Sequence, residues 1–79
     1  MYFVYILKSQ IRKFHYVGLT HKLRVRLDQH DRGESIATKA YRPLDLAWYC
    51  FFPNKYIAAR FEKYLKSGSG RAFSKRHLL

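Results

Sequence analysis

The sequence is short of several features that would define a class of function. It has one cysteine, Cys50, so neither an intramolecular disulfide nor a cysteine-based zinc site can form. No run approaches the ~18 apolar residues of a membrane span. No basic segment precedes the apolar start MYFVYIL, which argues against a secretory leader. These absences predict a protein with no membrane association, in a reducing, cytoplasmic setting.

Acidic residues are also scarce: five Asp and Glu stand against 16 Lys and Arg, for a formal net charge of +11 in 79 residues. Such an excess on a small surface favours a polyanionic partner, most often nucleic acid. Charge alone does not separate an enzyme from a binding protein or from a ribosome-associated structural protein. The four histidines, at positions 15, 21, 30 and 77, show no metal-ligand spacing.

What the chain does have is a succession of clear strand and helix patterns. Aromatic and β-branched residues predict strands over 2–8, 14–19 and 44–52, the first two as a hairpin. The third strand is almost continuously apolar at its end, which favours the centre of the sheet. Helices are predicted from the N-cap Thr20 to Gly33, from Pro53 to Lys66, and over 71–79. The order β-β-α-β-α-α predicts one α+β domain over residues 1–79, a three-stranded antiparallel-type sheet flanked by helices.

Tyr5 and Tyr16 are the first candidate functional pair. If the hairpin register aligns them, both side chains lie on the same face of the sheet. Strand tyrosines are more often packing residues with the hydroxyl at the rim, so the pair alone decides little. Gly18 adds to the case, because a glycine inside a strand often marks a place where another group approaches the backbone closely.

Three further candidates, Arg26, His30 and Glu62, lie on the predicted helices. Arg26 and His30 are four residues apart and share a helix face near the apolar side, where an arginine either pairs with an anion or extends its stem over the core. Glu62 lies among basic residues, where it either forms an i,i+4 ion pair with Lys66 or serves as a single oxygen ligand for Mg²⁺. His30 alone resembles a surface helix residue more than a ligand.

Taken together, these residues resemble the GIY-YIG endonuclease family. That family has a tyrosine in a first motif, a Tyr-x-Gly motif about eleven residues on, an arginine ten residues later, then a histidine four later and a glutamate on a later helix. FVY (3–5) and YVG (16–18) match the two motifs, Arg26 and His30 have the matching spacing, and ARFEKYLK (59–66) places Glu62 at the metal position. EKYLKSGSGR and TKAYRPLDL are similar to the small stand-alone bacterial branch, itself similar to the nuclease domain of the nucleotide-excision repair incision protein.

The resemblance implies a divalent-metal-dependent endonuclease that hydrolyses phosphodiester bonds in DNA, structure-selective or weakly sequence-selective, in DNA repair or processing. Tyr5 or Tyr16 would orient the attacking water and take its proton, and Arg26 would pair with the scissile phosphate. Glu62 would hold Mg²⁺ or Mn²⁺, and His30 would assist. Phe3 stands where the first motif has its namesake glycine. Leu19 stands where repair relatives carry a lysine, so one phosphate contact is expected to be missing.

Substrate contacts away from the cleaved bond are expected from basic residues outside the core, with Gly18 letting the substrate backbone approach Tyr16. The basic candidates are Lys8, Lys39, Arg42, Lys66 and Arg71. The expected partner is DNA, with RNA still open, and a protein partner for targeting and a monomer or weak dimer are also open. The alternative function is a non-catalytic nucleic-acid-binding protein that keeps the nuclease fold.

Overall fold

The computed structural model describes residues 1–79 as a three-stranded antiparallel sheet with four helices. The elements are β1 (Tyr2–Ser9), β2 (His15–Thr20), α1 (Leu23–Asp31), α2 (Ile36–Lys39), β3 (Leu44–Phe52), α3 (Lys55–Lys66) and α4 (Gly68–His77). This confirms the predicted α+β class, the hairpin and all three strands. The predicted polar loop at 34–43 contains the additional short helix α2, so the observed order is β-β-α-α-β-α-α.

The central strand is β1, and the prediction that β3 lies at the centre of the sheet is wrong. The strand order is β2-β1-β3, with both neighbours antiparallel to β1. On β1, Val4, Tyr5, Ile6 and Leu7 are all buried, so both faces of this strand are covered. The apolar run of β3 instead places side chains such as Phe51 at an exposed outer face, 46% accessible. Apolar composition alone therefore did not distinguish an edge strand from a central one.

One face of the sheet carries the hydrophobic core. Val4 and Ile6 from β1 pack with Ala58 and Leu65 from α3, as the spacing of apolar residues in the second predicted helix indicated. Helix α3 begins after Asn54, whose side-chain oxygen accepts hydrogen bonds from the backbone N–H groups of residues 56 and 57. This cap lies one residue beyond the predicted start at Pro53.

The junction between α3 and α4 is tighter than the SGSG segment suggested. Ser67 ends α3 and also caps α4, with its hydroxyl oxygen accepting from the Gly70 N–H at 3.1 Å. A side chain at position 70 would overlap the backbone of Tyr64, so glycine allows the two helices to meet closely. Helix α4 therefore begins at Gly68 and not at Arg71.

The opposite face of the sheet is contacted by His30 of α1, and Thr38 of α2 contacts His30 in turn. Helix α1 begins at Leu23, because Thr20 remains in β2 and its hydroxyl accepts from the Lys22 N–H at 3.1 Å in place of capping the helix directly. Gly33 follows the helix with a φ of +76°, the left-handed conformation expected of a glycine that ends a helix. None of the four helices is both long and apolar enough to cross a membrane.

Candidate active site

Tyr5 and Tyr16 lie on the same face of the sheet, as the hairpin register predicted. Tyr5 is paired with Gly18 and Leu7 with Tyr16, so the two tyrosines are diagonal neighbours on β1 and β2. Their ring centroids are 6.3 Å apart at an interplanar angle of 46°. The two side chains differ in exposure, because Tyr5 is 1% accessible whereas Tyr16 is half-buried and borders a surface groove.

Gly18 has a different role from the one predicted. A Cβ at position 18 would overlap the ring and the hydroxyl of Tyr5, so the space beside this glycine is filled by the Tyr5 phenol. Gly18 is itself buried. The close approach that the glycine permits is therefore made by a tyrosine of the neighbouring strand, and not by the backbone of a substrate near Tyr16.

His30 joins the two tyrosines from helix α1. Its Nε2 lies 2.9 Å from the Tyr5 hydroxyl, and its ring meets Tyr16 edge-on at a centroid distance of 5.2 Å. His30 is 1% accessible and is the one buried residue of α1, so the interpretation of a surface helix residue is wrong. Burial and the nearby Arg26 lower the pKa of His30, which keeps the ring neutral at physiological pH.

Thr38 completes this buried chain from helix α2, and sequence reasoning missed it. Its Oγ1 lies 2.7 Å from Nδ1 of His30, and its accessible surface is 0%. The three side chains Tyr5, His30 and Thr38 thus form a continuous hydrogen-bonded row from β1 through α1 to α2. Thr38 lies in a polar stretch with no apolar periodicity, so no pattern in the sequence marks it as an interior residue.

Arg26 lies beside the two tyrosine hydroxyls and has no carboxylate partner. Its guanidinium Nη1 donates to Oε1 of Gln29 at 3.0 Å, and neither ion pair in the structure includes it. The residue is partly buried, unlike the exposed Arg24, which agrees with its predicted position on the helix. A half-buried arginine with no acidic partner is a ready receptor for an external anion.

Three neighbouring side chains, Arg26, Tyr16 and Glu62, act on the pKa of Tyr5. Burial raises the pKa of Tyr5 to about 12, against the lowering effect of the Arg26 guanidinium. Tyr16 and, as the weakest of these causes, Glu62 add to the rise. At neutral pH Tyr5 is therefore an un-ionised phenol, held inside the cluster.

The carboxylate of Glu62 is the one acidic group that the site offers to a metal ion. Its side chain is 22% accessible and forms the i,i+4 ion pair with Lys66, at 3.1 Å between Oε2 and Nζ. No group of three or more His, Cys, Asp or Glu residues is clustered as metal ligands in this chain. A single carboxylate suits Mg²⁺ that takes its remaining oxygens from water and from substrate phosphates. The donor set therefore fits a metal held jointly with a nucleic-acid substrate.

A groove borders Tyr16 and is lined by basic side chains together with apolar ones such as Val17 and Leu65; we call it the basic groove. It has a volume of about 610 Å³, and a smaller groove of about 450 Å³ shares part of its lining. The basic residues along the two grooves are Lys8, Arg12, Lys13, His15, Lys66, Arg71 and Lys75. Because Lys66 also pairs with Glu62, this basic surface extends from the Glu62 carboxylate past Tyr16 to the start of β2.

The predicted substrate contacts fall into two groups in the structure. Lys8, Lys66 and Arg71 lie on the basic grooves, whereas Lys39 and Arg42 do not. Arg42 instead donates from Nη1 to the Asp31 carbonyl oxygen and from Nε to the Lys39 carbonyl oxygen, both at 3.2 Å. This guanidinium therefore already ties α2 to the end of α1. The basic residues that the sequence analysis did not select, Arg12, Lys13, His15 and Lys75, come from the β1–β2 turn, the start of β2 and α4, which no sequence spacing relates.

In this small α+β domain two tyrosines, an arginine and a histidine lie together, and a groove with basic side chains borders one of the tyrosines. The family described as GIY-YIG catalytic domain matches residues 1–76, and the chain belongs to this family. A UPF0213 protein of Vibrio campbellii (strain ATCC BAA-1116) is 36% identical over 64 residues, which covers 80% of this chain and 61% of that relative. The chain thus spans less than two thirds of the relative's length. No solved structure matches it significantly.

Proposed function

We propose that this chain is a divalent-metal-dependent endonuclease that hydrolyses phosphodiester bonds in DNA. The observation that carries the proposal is the meeting of Tyr5, Tyr16, Arg26 and His30, from β1, β2 and α1, with a groove bordering Tyr16. The carboxylate of Glu62 on α3 is tied to the same groove through its ion pair with Lys66. Family membership supports the same class of reaction. Action in DNA repair or processing, with structural or weak sequence selectivity, is proposed on the resemblance to repair nucleases alone.

Arg26 is the proposed receptor for the scissile phosphate. Its guanidinium lies next to the hydroxyls of both tyrosines and has no carboxylate to neutralise it. A planar guanidinium donates two parallel hydrogen bonds to phosphate oxygens and stabilises the negative charge that gathers there in the transition state. A bound phosphate would therefore be held against Tyr16, the more accessible of the two tyrosines.

Tyr16 is the proposed partner of the attacking water, and its greater exposure than Tyr5 supports this choice. Tyr5 is buried and its pKa is raised to about 12, so it does not act as a base near neutral pH. Tyr16 borders the groove where a substrate and water would enter. In the proposed step Tyr16 first loses its own proton to solvent, a loss that the adjacent Arg26 guanidinium favours. The resulting phenolate takes a proton from water as the water oxygen attacks phosphorus, the bond from phosphorus to the leaving oxygen breaks, and the leaving oxygen takes up a proton from solvent.

Glu62 is the proposed holder of Mg²⁺ or Mn²⁺. The chemistry that such an ion supplies when bound is Lewis-acid stabilisation of the leaving oxygen. Lys66 occupies one oxygen of the same carboxylate in the structure, so the ammonium and a metal ion would compete for it. The basic groove would then hold the flanking phosphates by charge without reading bases.

The test is a cleavage assay on a labelled panel of duplex, single-stranded, flapped and branched DNA, with RNA included. Wild type, Arg26→Ala and Glu62→Ala are compared in Mg²⁺, Mn²⁺ and EDTA, with Arg24→Ala as a matched control on the exposed side of α1. We expect metal-dependent cutting that both site variants lose and the control keeps. Binding without cutting on every substrate would instead support the alternative, a non-catalytic protein that keeps the nuclease fold.

A further inference from the structure

The buried row of Tyr5, His30 and Thr38 contains more hydrogen-bond donors than it can use internally. Each hydroxyl carries one hydrogen, and a neutral imidazole carries one more on either ring nitrogen. The row has only two links, Tyr5 Oη to His30 Nε2 at 2.9 Å and His30 Nδ1 to Thr38 Oγ1 at 2.7 Å. One of the two hydroxyl hydrogens must therefore find an acceptor outside the row. The direction in which the hydrogen bonds donate along the row decides whether it is the Tyr5 or the Thr38 hydrogen.

The surroundings of the two ends are unequal. Thr38 is completely buried, and its hydroxyl has no partner other than His30. The carbonyl of Ser35, one turn earlier, already accepts from the backbone N–H groups of Thr38 and Lys39. If Nδ1–H donated to Thr38, the threonine hydrogen would be stranded in the interior, which costs the full desolvation of a polar group.

The Tyr5 end faces the candidate active site. Tyr5 is itself 1% accessible, but its hydroxyl lies beside Arg26 and near Tyr16, where the proposed scissile phosphate would bring acceptor oxygens. The Arg26 guanidinium carries only hydrogen-bond donors, so it can donate to the Tyr5 oxygen. A Tyr5 hydrogen that points out of the row thus has partners during the reaction, whereas a Thr38 hydrogen has none at any time.

We propose that Thr38 is a positioning residue whose hydroxyl donates to Nδ1 of His30, which places the ring hydrogen on Nε2 and makes the Tyr5 oxygen an acceptor. The row then runs from Thr38 through His30 to Tyr5, and the Tyr5 hydrogen is directed toward the substrate site. In this direction the Tyr5 oxygen accepts from the imidazole on one side and is open to the Arg26 guanidinium on the other. Thr38 in this way fixes the orientation of His30 and Tyr5, the two side chains that would hold Arg26 and the phosphate in position.

The link from this hydrogen-bond direction to cleavage rests on the proposed function, whereas the direction itself can be measured without any cleavage. Nitrogen NMR of the ¹⁵N-labelled wild type at neutral pH reports which ring nitrogen carries the hydrogen, with His30→Gln used to assign the signals. We expect His30 to carry its hydrogen on Nε2. A hydrogen on Nδ1 would overturn the proposal, whether or not the protein cleaves any substrate.

Two substitutions at position 38 separate positioning from packing. Thr38→Ser keeps the hydroxyl and loses a methyl group, whereas Thr38→Val keeps the shape and loses the hydroxyl. We expect the serine variant to retain the wild-type His30 spectrum and cleavage rate. The valine variant should shift the Nδ1 resonance and cleave about tenfold more slowly, the order of effect of one lost buried hydrogen bond.

The outcomes at position 38 are decisive in both directions. A valine variant with an unchanged His30 spectrum would show that Thr38 does not direct the ring, and would overturn the proposal. A serine variant as impaired as the valine variant would place the effect in packing and would overturn it as well. If the valine variant does not fold, the wild-type tautomer and the serine variant still decide the matter.

Discussion

Gly18 faces Tyr5 across the β1–β2 pair, and the Tyr5 phenol fills the space that any other residue at position 18 would need for its side chain. The ring crosses the edge strand at this point to place its hydroxyl against His30. The glycine of the YVG motif therefore determines where the tyrosine of the FVY motif can lie. The two motifs form one structural unit, so a substitution in either motif should displace residues of the other.

Gly18→Ala should accordingly destabilise the fold and displace Tyr5. We expect a loss of about 1–3 kcal/mol, the usual range for overfilling a packed site, together with loss of the Tyr5–His30 contact. Urea denaturation of the variant measures the first effect and the NMR signals of His30 the second. Gly68→Ala is the matched control, because a Cβ there meets nothing within 4 Å. Equal stability of the two variants would contradict the packing account.

Ionisation of Tyr5 should weaken the fold at alkaline pH. The pKa rises from 10.0 to about 12 on folding, so the neutral phenol is favoured in the folded state. The stabilisation is complete below about pH 10 and is lost as the pH rises through about 12, and two pKa units correspond to about 2–3 kcal/mol.

The comparison of wild type with Tyr5→Phe isolates this effect from the titration of the many lysines. We expect the stability advantage of wild type over Tyr5→Phe in urea denaturation to shrink steadily between about pH 10 and 12. A constant difference across that interval would mean that the Tyr5 hydroxyl is not buried as the structure shows.

Protonation of His30 should weaken the fold at acid pH. Burial and then the charge of Arg26 lower its pKa below the ordinary 6.5, so the unfolded chain takes up a proton more readily than the folded protein. The stabilisation is therefore present above the unfolded pKa and is lost as the pH falls below it. His30→Gln should show a flatter dependence of unfolding free energy on pH below 6.5 than wild type.

His15 provides the control for this measurement. Its pKa is also lowered, by partial desolvation and by Lys8 and Lys75, but its side chain is exposed. His15→Gln should leave most of the acid dependence in place. If His15→Gln flattens the curve and His30→Gln does not, the assignment of the buried neutral histidine is wrong.

The basic groove should account for a measurable share of the salt dependence of nucleic-acid binding. Arg71→Gln combined with Lys75→Gln removes two charges from the groove beside Tyr16. On duplex DNA the slope of log K against log salt should become shallower by about 1.8, or about 0.9 for each lost phosphate contact. The effect should be uniform across sequences, because such contacts do not read bases.

Lys55→Gln with Lys63→Gln is the matched control for the groove. These two lysines are exposed on α3 and line neither groove, and the pair removes the same total charge. We expect a clearly smaller change in salt slope for this pair. Identical slopes for the two double variants would indicate that binding follows net charge and not the groove.

Much of the fold could be predicted from the sequence, because strand composition and helix stop signals are local features. The spacing of residues 5, 16, 26, 30 and 62 is a linear feature, and the functional role of these five residues stays a prediction. What failed depends on tertiary contacts. The burial of His30 follows from its two hydrogen-bond partners, and the partner of Gly18 lies on another strand. The edge position of β3 depends on which strands pair, which its apolar composition does not encode.

The most direct test of a metal-dependent phosphodiesterase is the Mg²⁺ titration of DNA cleavage by Glu62→Gln and Lys66→Gln. Each substitution removes one member of the same ion pair, which measures 3.1 Å in the structure. Both variants therefore lose the salt bridge, and any difference between them comes from the carboxylate or the ammonium itself. We predict that Glu62→Gln abolishes cleavage at every Mg²⁺ concentration, whereas Lys66→Gln retains it and reaches half-maximal rate at lower Mg²⁺. Cleavage by Glu62→Gln at the wild-type rate, or wild-type cleavage that persists in EDTA, would contradict the account.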